Sequence, residues 1–218
     1  MRHDIAIYGA GGFGREVACL IRKINEAQPE ENERWNLIGF FDDGQPAGTR
    51  NEYGEVLGNI DTLNRYDKEL AVAIAIGSPN AVKSVYEKIE NPKIYFPNLI
   101  APNAQFFDIK NVTIGIGNII CPYSVLSCHV SLGKFNILNV YTQLGHDAIL
   151  ADFNVLMPST NISGGVHIGM NNFFGVKSTV LQMVEIGNNT RIGTNSVVIR
   201  NTKDGNLYMG NPARLIKL

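Results

Sequence analysis

The sequence predicts two units in series: an α/β domain over residues 1–97, then a three-sided coil of short parallel strands over residues 98–218 that ends in a short tail. Three observations carry this. A strand-like run, Ile5-Ala-Ile-Tyr8, opens into Gly9-Ala-Gly-Gly-Phe-Gly14 and then into helical spacing of apolar residues. Large apolar residues recur every six positions from Ile114 to Val198 with no insertion. The fifth position of each of these hexapeptides is small or β-branched.

In the first unit, the glycines at 9, 11 and 14 satisfy G-x-G-x-x-G, and Val17, Leu20, Ile21 and Ile24 mark the following helix. Glycine lets a backbone approach a phosphate, and a helix N-terminus favours negative charge. A second strand, Leu37 to Phe41, ends in Asp42-Asp43. A third, Ala71 to Ile76, ends in Gly77-Ser78-Pro79-Asn80 and leads to a helix through Val82, Val85, Tyr86 and Ile89. These strand ends share the edge of a parallel sheet where open α/β sheets bind ligands. The fingerprint alone fits NAD, a nucleotide-sugar, or a tight turn with no ligand. A unit of about 97 residues is half a dinucleotide fold, which favours a mononucleotide-type ligand. Asp42 and Asp43 read either as acceptors for a base or ribose or as turn residues.

The second unit follows from its period. Six is neither 3.6 nor 2, so it denotes a short strand plus a corner. The fifteen first positions, Ile114 through Val198, and the fifteen fifth positions, Asn118 through Thr202, fill a core. Seven second positions are Gly, which relieves crowding at the bend. Three flat faces close a prism with eighteen residues per coil. An earlier, less regular coil begins near Ile100, two residues out of register with Ile114. Residues eighteen apart then stack. The outward column Ile119, Ile137, Val155, Phe173 is apolar, beside Phe135 and Phe153. Such a face marks an interface, and the expectation is a subunit contact, with cover by C-terminal residues as the alternative.

Composition narrows the classes. Net charge is −1, which recruits neither nucleic acid nor an anionic membrane. The run Ala71 to Ile76 is too short to span a bilayer. Met1 to Asp4 leads straight into the first strand with no signal-peptide pattern, and Cys19, Cys121 and Cys128 lack C-x-x-C spacing. The expectation is a cytoplasmic protein with reduced thiols and no metal site.

The hexapeptide register resembles the left-handed parallel β-helix of hexapeptide-repeat acyltransferases. The left hand comes from that resemblance, since the general crossover rule favours right-handed connections. Tyr8-Gly-Ala-Gly-Gly-Phe-Gly14, Phe41-Asp-Asp43, Ile74-Ala-Ile-Gly77, Leu138-Asn139, Gly145-His-Asp147 and Gly210-Asn-Pro-Ala-Arg214 occur in that order. Together they resemble the family of sialic acid O-acetyltransferases and bacterial nucleotide-aminosugar N-acetyltransferases. The resemblance implies a Rossmann-like N-terminal domain that holds the nucleotide of a linked sugar through Gly9, Gly11, Gly12, Asp42, Asp43 and Gly77. It also implies acetyl-CoA as co-substrate, a homotrimer with active sites between subunits, and a place in surface-glycan biosynthesis. Two departures stand out: Phe13 and Val155 occupy positions where relatives often carry His.

His146 and Asp147 occupy the third and fourth positions of their hexapeptide, a corner that projects from the core. A neutral imidazole takes a proton near pH 7, and a carboxylate orients it. The resemblance makes His146 the general base. His129 is expected to share its corner column, without an acidic neighbour. Gly164 and Gly165, one coil on, are expected to leave open space for a thioester, with a backbone N–H near Gly164 stabilising the oxyanion. The resemblance suggests Gly164, Val176 and Thr194 as CoA contacts; Lys177, Arg191 and Arg200 read either as partners of its phosphates or, one by one, as solvated surface, and Asn139 either as a partner of the acceptor sugar or as a plain outward polar residue. Rival classes are a serine- or maltose-type acetyltransferase with a free small acceptor, a non-catalytic nucleotide-binding scaffold, and an NAD oxidoreductase.

Overall fold

The computed structural model describes residues 3–216, the side chain at position 32 excepted. Met1 and Arg2, and the last two residues of the tail, lie outside that range. The N-terminal sheet has the order β3-β4-β2-β1-β5-β6, with β1 (His3–Tyr8), β2 (Trp35–Phe41), β3 (Arg50–Asn51), β4 (Gly54–Gly58), β5 (Leu70–Ile74) and β6 (Ile94–Tyr95). All neighbours are parallel except β3 and β4. Tyr8 pairs with Phe41 on one side and with Ile74 on the other, so the three strands that matter end at one level. The chain leaves β1 toward β2 on one side, and β5 returns on the other. That reversal opens the crevice where such sheets take ligands. Helices α1 (Gly12–Ala27) and α3 (Pro79–Lys88) begin at this edge, and α2 (Ile60–Asn64) follows β4. Val17, Leu20 and Ile21 are buried on one stripe of α1, as their spacing requires.

From Leu99 the chain coils. Two-residue strands stack on three faces in a register of eighteen. The first face carries Ile119, Ile137, Val155 and Phe173 outward, the second Val125, Gln143, Asn161 and Thr179, the third Ser131, Ile149, His167 and Glu185. Every hexapeptide from Ile114 to Val198 places its strand where the period puts it. The earlier coil also exists. Leu99–Ile100 pairs with Ile119–Ile120, and Gln105–Phe106 with Val125–Leu126. A short turn at Ile109–Asn111 absorbs the two extra residues before Ile114.

Two features of the coil go beyond its period. The fourth position of most corners has a left-handed φ near +60°, and non-glycine residues hold it, among them Tyr141, Asp147 and Met183. The second-position glycines answer to crowding: a Cβ on Gly175 would lie 2.5 Å from the backbone nitrogen of Thr194. Inside, Asn118, Asn136, Asn154 and Asn172 are fully buried and stacked. Each side-chain oxygen accepts the N–H of the residue eighteen later, at 2.8 Å for Asn136, 2.9 Å for Asn154 and 3.0 Å for Asn172. The column is a hydrogen-bonded spine in which every side-chain oxygen is satisfied, while Asn136 Nδ2 is buried without a partner.

The apolar first face is not a free surface. Ile119, Ile137 and Val155 are buried within the single chain, in one core with the N-terminal sheet. Tyr86 of α3 lies 4.4 Å from Phe135 and 5.9 Å from Phe153, ring centre to centre, and Phe96 lies 5.0 Å from Phe135. The expected subunit contact on this face is therefore corrected, as is the alternative of C-terminal cover: the chain's own first domain covers it. Val155 fills that contact. The C-terminal segment instead forms a hairpin, Leu207–Gly210 and Ala213–Ile216, that continues the same face past Arg191 and caps the coil.

Candidate active site

A cleft of about 530 Å³ opens at the switch edge of the N-terminal sheet. It gathers all six residues expected there: Gly9, Gly11, Gly12, Asp42, Asp43 and Gly77. The glycines divide into two kinds. Gly9 has φ +110°, and a Cβ on it would sit 2.7 Å from the carbonyl oxygen of Ala75; one on Gly14 would run into the carbonyl of Gly9. Those two serve the fold. A Cβ on Gly11, Gly12 or Gly77 would meet nothing within 4 Å. Their missing side chains leave open space in the cleft. Helix α1 starts here with Gly11 as N-cap, no side-chain cap and no acidic residue in its first turn, so no side chain of its own caps its first amide groups.

The two aspartates act first as turn residues. Asp42 accepts the N–H of Ala10 at 2.7 Å and of Gly44 at 2.8 Å. Asp43 accepts the Tyr8 hydroxyl at 2.7 Å and the Ile60 N–H at 3.0 Å. They lock the glycine turn to the loop after β2. Burial, together with the bond to Asp43, pushes the Tyr8 phenol above its usual range and keeps it a donor. One stripe of α3, Ala81, Ser84, Val85 and Lys88, also lines the cleft. Sequence reading did not pick these out, although their spacing of three, four and seven on the helix after Pro79 marks a single face. Phe13 lines the cleft as well.

His146 sits at the edge between the second and third faces. Its Nδ1 is 2.8 Å from Asp147 Oδ2, and the two side chains are 58% and 61% exposed. Asp147 reaches this pose through its left-handed backbone, φ +59°. With the Nδ1 proton given to Asp147, Nε2 carries the free lone pair. The column differs from expectation. The Leu126–Leu144 pairing puts Cys128 one coil below His146 and His129 below Asp147. The space over the paired glycines is also not empty. A Cβ on Gly164 would lie 2.5 Å from His146 Cε1 and would overlap Nε2, because the ring lies on that glycine. Met183 lies on Gly165 in the same way.

Three third-position amides of the edge between the third and first faces are taken by side chains from the next coil. Lys134 donates to Asp152 at 2.9 Å, Met170 to Asn188 at 2.9 Å, and Asn188 to Asp204 at 2.8 Å. At His146 the residue one coil on is Gly164, which has nothing to offer. Among the described residues neither the His146 nor the Gly164 N–H has a protein acceptor. An unclaimed donor therefore lies beside the imidazole.

The remaining expected residues lie elsewhere. Asn139 stands at the edge between the first and second faces, apart from His146 of its own chain, and its side-chain oxygen accepts the Val140 N–H at 2.7 Å. It lines a largely apolar cavity of about 420 Å³ between α1 and the coil, with Glu16, Val17, Cys121 and Met157. Val176, Thr194 and Lys177 lie on that same edge, across the second face from Gly164. Arg191 lies over the Phe173 ring at 5.3 Å on the first face. Arg200 is exposed above the His146 column. No group of His, Cys, Asp and Glu able to hold a metal occurs among the described residues. No helix among them is long and apolar enough to cross a membrane.

Comparison with known proteins now adds to the geometry. The PglD N-terminal domain model matches residues 4–89. The acetyltransferase domain of PglB from Neisseria gonorrhoeae FA1090, solved with acetyl coenzyme A, is 25% identical with a TM-score of 0.86, over 99% of this chain and 100% of that one. WeeI from Acinetobacter baumannii AYE is 27% identical with a TM-score of 0.86, over 98% and 100%. Residues 4–89 match the PglD N-terminal domain, and the whole chain is similar in fold to these hexapeptide-repeat acetyltransferases. Its fold is an α/β Rossmann-like domain followed by a left-handed parallel β-helix. A mutant perosamine N-acetyltransferase from Caulobacter crescentus, solved with CoA and GDP-perosamine, shares that fold at 23% identity and a TM-score of 0.83, over 98% and 97%. No curated protein sequence matches this acetyltransferase.

Proposed function

We propose that this acetyltransferase moves an acetyl group from acetyl-CoA to the amino group of a nucleotide-linked sugar, with His146 as general base. The observation that carries the reading is the pairing of two sites in one chain. One is a cleft whose open glycines and uncapped helix suit a nucleotide diphosphate. The other is an exposed, carboxylate-oriented imidazole beside an unclaimed amide. A free-sugar acetyltransferase has no use for the first, and a scaffold has none for the second. The relatives bound to acetyl coenzyme A and to GDP-perosamine support the same donor and acceptor class.

In this reading the acetyl donor supplies an activated carbonyl. His146 Nε2 takes the proton released as the nitrogen–carbon bond forms, and that proton leaves with the departing thiolate. Asp147 holds the imidazolium through Nδ1. The Gly164 N–H faces the oxygen that gains negative charge. An amide donor of this kind needs water excluded, yet His146 is more than half exposed in one chain.

A second copy would complete it. We infer a homotrimer in which the cleft and Asn139 of one subunit face His146 of the next. Support comes from the edges of the second face. Phe107, Leu181 and Ile199 are exposed apolar residues on the His146 edge, and Tyr123 and Tyr141 stack 5.0 Å apart, half exposed, on the Asn139 edge. Unlike edges on one face suit a head-to-tail ring. The free thiols Cys19, Cys121 and Cys128 fit a cytoplasmic enzyme that uses activated sugars for surface glycans.

The test is thiol release from acetyl-CoA with UDP-, GDP- and dTDP-linked amino sugars and with the free sugars, followed by mass spectrometry of the product. Release only with a nucleotide-linked acceptor, and a gain of one acetyl amide, are expected. Equal turnover of free sugars would remove the cleft from the reaction.

A further inference from the structure

We propose that Met183 forms the wall of the acyl site and sets the length of acyl group the enzyme accepts; this rests on the acetyl-transfer reading above. Gly164 and Gly165 form a bare floor at the edge between the second and third faces. Two side chains lie on it, from opposite directions. The His146 ring comes from the coil before and covers Gly164, with Cδ2 2.8 Å from the position a Cβ would take. Met183 comes from the coil after and covers Gly165, with its Cε 3.0 Å and its Cγ 3.7 Å from the equivalent position.

The backbone does not explain the second glycine. Gly165 has φ +65°, but Asp147 and Met183, one coil either side of it, hold φ +59° without being glycine. What a side chain at 165 would displace is the Met183 thioether. That thioether is 70% exposed, a large apolar group held in water next to the base.

Reach defines what it faces. A base must come within about 3 Å of the attacking atom, and that atom within about 3.5 Å of the carbonyl carbon. The carbonyl therefore lies on the order of 6 Å from Nε2, slightly more than one ~4.8 Å coil step. With its oxygen directed at the Gly164 N–H, its alkyl substituent extends along the floor toward the residue that covers Gly165. A thioether is polarisable and adaptable, so it closes on a methyl group and leaves little room for a longer chain.

Calorimetry and steady-state kinetics with CoA, acetyl-CoA and butyryl-CoA test this on the wild type, Met183→Ala and Met183→Leu, with the mass of each followed by light scattering. One to three methylenes in an apolar pocket discriminate by roughly tenfold or more. Met183→Ala is expected to raise butyryl-CoA kcat/KM and affinity relative to acetyl-CoA by about tenfold, with affinity for CoA itself unchanged. Met183→Leu restores the preference. An unchanged acetyl-to-butyryl ratio in Met183→Ala, or an equal loss for both donors with a fall in mass, overturns the wall. A wild type that binds no acetyl-CoA overturns the acetyl-transfer reading itself, a result distinct from either.

Discussion

The N-terminal cleft and the His146 edge differ in how complete each is within one chain. The cleft is lined entirely by residues 8–88 of one chain, with the N-terminus of α1 at its glycine turn. The edge has an imidazole, a carboxylate bonded to it and an unclaimed amide, but no roof, and the imidazole side chain is 58% exposed. On the proposed reading, a monomer has what it needs to hold the nucleotide and lacks what it needs to exclude water from transfer. Binding and chemistry should therefore separate under mutation and under dilution.

The largest effect sharpens that separation. His146→Ala is expected to lower kcat by roughly 10²–10⁴, with nucleotide-sugar affinity unchanged in calorimetry. Normal turnover in a folded variant would remove His146 from the mechanism. The reverse variant is Gly12→Asp. Its Cβ meets no protein atom within 4 Å, so the fold is spared while a carboxylate enters the cleft. Affinity should fall by more than tenfold, since a charge repels phosphate there.

Mixing these two impaired chains, at an acceptor concentration too low to load the Gly12→Asp cleft, tests whether the site spans subunits. Each functional site then needs the cleft of one variant and the imidazole of the other. In a head-to-tail ring reassembled at random, about one quarter of sites regain both. A return of activity after co-refolding, absent from either variant alone, is the expected result. No recovery at matched mass would place both halves of the site on one chain.

The same contrast explains what the sequence could reveal. The β-helix was legible strand by strand because its period is strict: each first-position residue has one place to go. The cleft residues were legible because glycines at 9, 11, 12 and 77 follow strand ends that topology brings to one edge. Contacts between elements were not legible. Nothing in Ile119, Ile137 or Val155 says whether a neighbour or the chain's own α3 covers them, since both cover apolar surface equally well. Likewise Gly164 reads as open space until the imidazole is seen to lie on it. The α3 stripe through Ser84 and Lys88 was readable from its helical spacing, but only once the cleft gave that face a partner.

A smaller effect tests the division of the glycines. Gly9→Ala forces a Cβ to 2.7 Å from a backbone oxygen at φ +110°, which should cost about 1–3 kcal/mol and lower Tm by several degrees. Gly11→Ala meets nothing, and should leave Tm unchanged while weakening nucleotide binding. Equal Tm losses in a thermal melt would mean that both serve only the turn.

A pH-dependent effect lies where the two domains meet. Cys121 is 5% exposed beside α1, and burial pushes its thiol from 9.0 up to about 12. The folded state therefore keeps a proton that the unfolded chain gives up first. Between about pH 9 and 12 the native form binds more protons, so stability must fall as pH rises through that window. Below it the thiol is neutral in both states and contributes no slope. Cys121→Ala removes the group, and urea melts across that range should show a shallower alkaline decline than the wild type. An identical slope would mean that the thiol is reached by solvent, and that the contact between α1 and the first face opens far more readily than its burial implies.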